Sequence, residues 1–231
     1  MIQHTVPVIK INSGLFQGEA RHSDPHGVVS MFVKSSDPSY GSERFAVTVR
    51  HELDPEIEEV NVEVGGKLLR FGDIDDGIVK KAIAETRNKS NASVLRDVSV
   101  IKIADNVLCS NSVGNTLVNG VTSAAEHYVT GNAGVKIGDK YIGDVSTLFW
   151  NTPVSINSHE TVELEVFGVK PSEQVLTDIG RIPAGSLATT PEGQALGIYV
   201  GFNGEMLFID AKNVSSVLGM ELMQDQIPVP S

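Results

Sequence analysis

The chain has 231 residues, 41% of them hydrophobic and 20% charged, enough apolar material to bury a core as one all-β unit or as two small barrels. A formal net charge of −11 argues against phosphate-backbone binding as a main activity, because that needs a dense cationic surface. The single cysteine, Cys109, excludes an intrachain disulfide and fits a reducing setting, cytoplasmic or viral, somewhat better than an oxidising one.

Met1-Ile2-Gln3-His4-Thr5 lacks the basic-then-apolar pattern of a signal peptide, and no window reaches the apolar length of a membrane span. The first half reads as short β runs at Val6–Ile11, Val28–Val33, Arg44–Val49, Glu58–Val64, Lys67–Phe71 and Val98–Ile103. Gly77–Asn88 breaks that rhythm with apolar positions at helical spacing and predicts a short helix. The polar stretch Asp105–Asn115 is the midpoint, giving two units over residues 1–107 and 108–231. The second half offers strands at Tyr128–Thr130, Gly134–Ile137, Thr147–Trp150, Thr161–Val169, Ala195–Gly201 and Met206–Ile209. Asp210–Met220 reads as a C-terminal helix with Asp210 as N-cap and an end near Gly219, and Gln224–Ser231 as a loosely held arm.

Acyl transfer needs a hydroxyl or thiol nucleophile, an imidazole to take its proton and a carboxylate to orient the imidazole. Three segments match that demand in order. Phe45-Ala46-Val47-Thr48-Val49-Arg50-His51 is a β run that delivers a histidine at its end. Arg96-Asp97-Val98-Ser99-Val100-Ile101-Lys102-Ile103 sets a carboxylate directly before an apolar strand. Pro183-Ala184-Gly185-Ser186-Leu187-Ala188 is a glycine turn feeding a strand, followed by Gly193-Gln194-Ala195-Leu196-Gly197-Ile198-Tyr199-Val200-Gly201. Taken singly, each also reads as an ordinary turn, strand start or hairpin.

Together they resemble the chymotrypsin-like serine proteases, the HtrA-type and viral branches in particular. That family has a strand ending Thr-x-x-His, matched by Thr48 to His51, and an Asp-led strand ending in Lys, matched by Asp97 to Lys102. It also has Gly-x-Ser-Gly followed by Gly-x-x-x-Gly-Ile, whose second part is matched by Gly193 to Ile198. The resemblance implies an all-β fold of two antiparallel six-stranded β-barrels with a short C-terminal helix. It implies His51 as general base, Asp97 as its orienting carboxylate, a polypeptide substrate (the chain's own precursor among the candidates) and no metal or organic cofactor.

A gap-free register from Gly193–Ile198 puts Ala184 where the family has its serine. A methyl group cannot attack a carbonyl. The chain is then either an inactivated Ser→Ala form or a natural pseudoprotease, a binding or structural module such as part of a virus particle. An unrelated all-β interaction protein is the third reading. Ser186 is the alternative nucleophile, although Leu187 follows it where the family needs a free glycine, and Cys109 is a weaker one. The oxyanion donors would be the amides of Ile182 and Ala184. Ile182 replaces a family glycine, and a β-branched residue resists φ > 0, so a differently shaped loop is expected there. Asp178 reads either as the base of a specificity pocket for Lys or Arg or as a surface carboxylate. Val200-Gly201-Phe202 would pair with substrate backbone by strand addition. His159-Glu160 lacks a second histidine for zinc, His22 and His26 read as surface residues, and Arg87 and Lys89 with Lys80 and Lys81 give the predicted helix a basic face.

Overall fold

Two patterns of apolar residues build the molecule: strands that alternate in and out, and strands buried on both sides. Glu59–Val64 is of the first kind, with Val60 and Val62 inward and Glu59 and Glu63 toward water. Arg44–Val49 and Met206–Asp210 are of the second kind. The computed structural model describes residues 8–17, 27–53, 56–64, 66–86, 92–113, 116–131, 133–155 and 161–223. The Gln224–Ser231 arm, His22, His26, Arg87, Lys89, His159 and Glu160 lie outside the described residues.

The first barrel comes from an eight-stranded sheet ordered Met220–Leu222, Met31–Ser35, Arg44–Val49, Val98–Ile103, Lys67–Ile74, Glu59–Val64, Gly14–Gln17 and Gly27–Val28. Gly27–Val28 and Met31–Ser35 are two halves of one run, and this closes the sheet. Val29 donates to the Ser13 carbonyl (3.0 Å) and Ser30 to the Val47 carbonyl (2.8 Å), so the run pairs with one end of the sheet and then the other. Six strands thus form the barrel, and Met220–Leu222 adds to its outside along Met31–Ser35.

The second barrel uses Gln194–Phe202, Leu187–Thr189, Gly134–Ile137, Lys140–Ser155, Thr161–Pro171 and Met206–Asp210. Met206–Asp210 also pairs with Gln194–Phe202, and that second ladder closes the ring. In Met206–Asp210 the alternation separates two cores: Met206 and Phe208 fill the second barrel, while Leu207 and Ile209 pack on the cluster continuous with the first. This is why the strand is apolar on both faces, and why the barrels meet along it.

The C-terminal helix spans Ala211–Leu218, with the Asp210 carboxylate accepting the Asn213 N–H (2.9 Å) and Gly219 closing it in the left-handed region at φ 63°. The first predicted helix forms at Asp76–Glu85, started by Asp75 as N-cap. One predicted strand is wrong: residues 128 and 129 belong to the helix Ala124–Val129. Ser123 and Glu126 form a reciprocal capping box there, and its local hydrogen bonds outweigh the β preference of Tyr128 and Val129. Among the described residues no helix is long and apolar enough to cross a membrane.

Candidate active site

Antiparallel pairing sets the end of one strand beside the start of its neighbour. Arg44–Val49 pairs with Val98–Ile103 so that Val49 faces Val98. Residues just after Val49 and just before Val98 therefore share one corner of the first barrel, and these are His51 and Asp97. His51 sits in a 3-10 turn, Arg50–Glu52, whose Arg50 N–H donates to the Asp97 carbonyl at 3.0 Å. The Asp97 side chain then grips His51 twice: Oδ1 accepts the His51 main-chain N–H at 3.0 Å, and Oδ2 lies 2.7 Å from the ring Nδ1. Asp97 is fully buried, so this pairing is what makes its charge tolerable.

The other ring nitrogen has a neighbour that the sequence reading missed. Glu52 Oε1 stands 3.3 Å from His51 Nε2. Burial by itself would lower the imidazole pKa, but the carboxylates of Asp97 and Glu52 outweigh it and raise it to about 9.

In the second barrel, Pro183 to Ser186 form a tight turn in which the Ser186 N–H returns to the Pro183 carbonyl (3.2 Å). Ala184 and Gly185 are its central residues, and Gly185 has φ 86°, a conformation that favours glycine at the third place of such a turn. A side chain at Gly185 would also meet the Val28 carbonyl at 3.0 Å and Thr48 Oγ1 at 3.3 Å. The turn thus lies against the strand that carries His51. Polar bonds fasten it to both barrels. Ser30 Oγ donates to the Gly185 carbonyl (2.6 Å), and the Leu187 N–H donates to Asn12 Oδ1 (2.9 Å). From the second barrel, the Gly185 N–H reaches the Tyr199 carbonyl at 2.8 Å, and the Tyr199 N–H reaches the Ser186 carbonyl at 2.9 Å. Ala184 is half-buried against the first core, and Ile182 packs on the second.

Ile182 precedes this turn on its own short helical turn. Ile182 ends the 3-10 turn Ile179–Arg181 at φ −83°, and its N–H donates to the Ile179 carbonyl at 3.2 Å. That amide is engaged within its own loop, and Pro183 has no amide hydrogen. Ser186 is 2% exposed, so its hydroxyl lies beneath the turn and not at its tip. Cys109 is buried, which pushes its thiol up to about 12, far from the thiolate that attack requires.

Asp178 is a partly exposed carboxylate 3.0 Å from Lys140 Nζ and 3.6 Å from Arg181 Nη1. Hydrogen bonding and charge from Lys140, with Arg181 adding to it, hold the carboxyl below its usual range. Both neighbouring cations come from its own chain. Among the described residues Val200–Phe202 is an edge. On the side of Leu187–Thr189 the main-chain bonds stop at Tyr199, whereas Gly201 and Phe202 still pair with Leu207 and Met206 on the other side.

The fold defined by two closed six-stranded barrels and a C-terminal helix is that of the chymotrypsin-like serine proteases. A glutamic-acid-specific serine protease, described as using a histidine triad in substrate binding, superposes with a TM-score of 0.55 and 14% identity over 93% of this chain and all (100%) of that one. The Rv3671c protease matches with a TM-score of 0.40, in an inactive form at 14% identity over 83% of this chain and 80% of that one. Its active form, from M. tuberculosis, also scores 0.40, at 16% identity over 98% and 94%. No model of a known protein family matches the chain, and no curated protein does.

Proposed function

We propose that this chain is a chymotrypsin-type endopeptidase domain in inactivated form, with Ala184 at the position of the nucleophile. The observation that carries the reading is the buried Asp97 carboxylate gripping His51 at both ring Nδ1 (2.7 Å) and main-chain N–H (3.0 Å). In this reading Asp97 fixes the imidazole tautomer that leaves Nε2 to take a proton, and steadies the imidazolium that results. A hydroxyl at position 184 would supply that proton and attack the scissile carbonyl. The leaving amine would take the proton back from Nε2. The substrate is a polypeptide whose backbone adds to the free edge at Val200–Phe202, and the chain's own precursor is one candidate.

Ala184→Ser tests this, assayed against a mixed peptide library and for cleavage of the protein's own termini. Peptide hydrolysis that vanishes on further His51→Ala substitution is the expected outcome. No hydrolysis at any pH sinks it.

A second reading has its own support in the engaged Ile182 amide. A loop whose oxyanion donor is turned inward suits a natural pseudoprotease that binds a polypeptide, for instance as part of a virus particle, and does not cut it. Stoichiometric peptide binding by both Ala184 and Ala184→Ser forms, with no turnover in either, favours that reading.

A further inference from the structure

The neighbour of His51 Nε2 is a residue that the triad does not call for. In a working triad this nitrogen must be neutral and face the nucleophile. Here Glu52 Oε1 stands 3.3 Å from it, on the side of the ring opposite Asp97. The arrangement is enclosed: the His51 side chain is 12% exposed and that of Glu52 29%. Gly27 packs on the stem of Glu52 so closely that a side chain there would lie 3.0 Å from Glu52 Cβ. Among the described residues, the ionisable groups set against the ring are Asp97, from the start of Val98–Ile103, and Glu52, from the ring's own turn. The neighbouring Arg50 pairs with Asp76 on the following helix, at 3.6 Å.

We propose that Glu52 is a carboxylate latch on His51, occupying Nε2 and holding the imidazole as a cation that cannot act as a base until Glu52 withdraws. The proposal rests on His51 being the base of the site, as argued above, and adds how that base is kept out of service. A proton on each ring nitrogen then has its own carboxylate, Nδ1 toward Asp97 and Nε2 toward Glu52. Taking a proton from a hydroxyl at position 184 requires the imidazolium to lose the Nε2 proton first, and the second carboxylate opposes that loss. The raised pKa of His51, about 9, fits this arrangement. An imidazole of that pKa is neutral in only about one molecule in a hundred at pH 7.

The test reads the imidazole directly in the chain as it stands. Nitrogen-15 NMR of His51 follows its titration in the Ala184 protein and in Glu52→Gln, which keeps the size of the side chain and removes its charge. The midpoint is expected to fall by about one unit or more, and Glu52→Ala to give the same direction, because charge and not packing is at issue. An unchanged midpoint in both variants overturns the latch. A second arm places Glu52→Gln on Ala184→Ser, where hydrolysis at pH 7 should rise about tenfold and the acid limb of the pH profile should move down with the midpoint. If both serine forms are inert while the midpoint still falls, the latch stands and the protease reading fails. If Ala184→Ser cleaves peptide and Glu52→Gln moves neither midpoint nor rate, the protease reading stands and the latch is overturned.

Discussion

His51 and Asp97 meet at the ends of two strands paired residue by residue, whereas Ile182 and Ala184 sit on a loop that several distant residues must hold in place. The first half of the site inherits its geometry from a ladder: once Val49 faces Val98, little freedom remains for the residues beyond them. The second half depends on Ser30, Asn12 and Tyr199 catching the turn from two barrels at once. A pair set by a ladder takes its distances from the strands themselves. The turn is held by the Ser30 and Asn12 side chains together with main-chain bonds to Tyr199, and the Ile182 amide just before it donates to the Ile179 carbonyl.

The sharpest way to break the contrast is to remove what the ladder delivers. Asp97→Ala leaves the His51 main-chain N–H and ring Nδ1 without their acceptor, and breaking a buried pair of this kind costs about 3–5 kcal/mol. The loss should depend on pH. The His51 pKa is raised in the folded protein to about 9 from an ordinary 6.5, so its stabilisation is complete below pH 6.5 and is lost as pH rises through 9. Urea unfolding at pH 6 and pH 9.5 should therefore show a larger difference in the parent than in Asp97→Ala. Equal slopes in the two proteins would mean that Asp97 does not hold the imidazole charged.

Gly185→Ala attacks the other half and should have the next largest effect. The new methyl group would press on the Val28 carbonyl at 3.0 Å and would force an L side chain to φ 86°. Strain and overpacking together predict a loss of about 2–3 kcal/mol, read from a urea melt. His51 should keep its titration midpoint in this variant if the two halves are as separately built as the contrast says. A His51 midpoint that moves with Gly185→Ala would show the loop to be part of the histidine's environment.

The same contrast explains what the sequence revealed. His51 and Asp97 were legible because Arg44–Val49 and Val98–Ile103 are strong β runs whose ends carry them, and the observed strands have those same bounds. The C-terminal helix was legible for a similar local reason, an Asp N-cap and a terminal glycine. Ser30 and Asn12 were not, because their partners lie 155 and 175 positions away and nothing local marks a serine or asparagine as a staple. Glu52 was overlooked beside His51, since adjacency in sequence does not say which ring nitrogen a neighbour will reach. The helix at Ala124–Val129 had a readable signal in Ser123-Ala124-Ala125-Glu126, which the β-branched and aromatic residues after it obscured. Asp178 reads two ways in the sequence, because nothing local says that Lys140, from another strand, reaches it.

Asp178 also gives the smallest predicted effect and the finest test of how the second half is built. If it were the floor of a specificity pocket, Asp178→Asn in the Ala184→Ser protein would abolish preference for Lys or Arg and raise KM for such substrates many-fold. As a surface carboxylate between Lys140 and Arg181, it contributes only an exposed ion pair, which is worth little in water. Asp178→Asn should then leave the order of preferred peptides unchanged and the melting temperature within about 2 °C of the parent. A selective loss of cleavage after basic residues would show instead that Lys140 releases the carboxylate when substrate arrives, making the second half as purposefully built as the first.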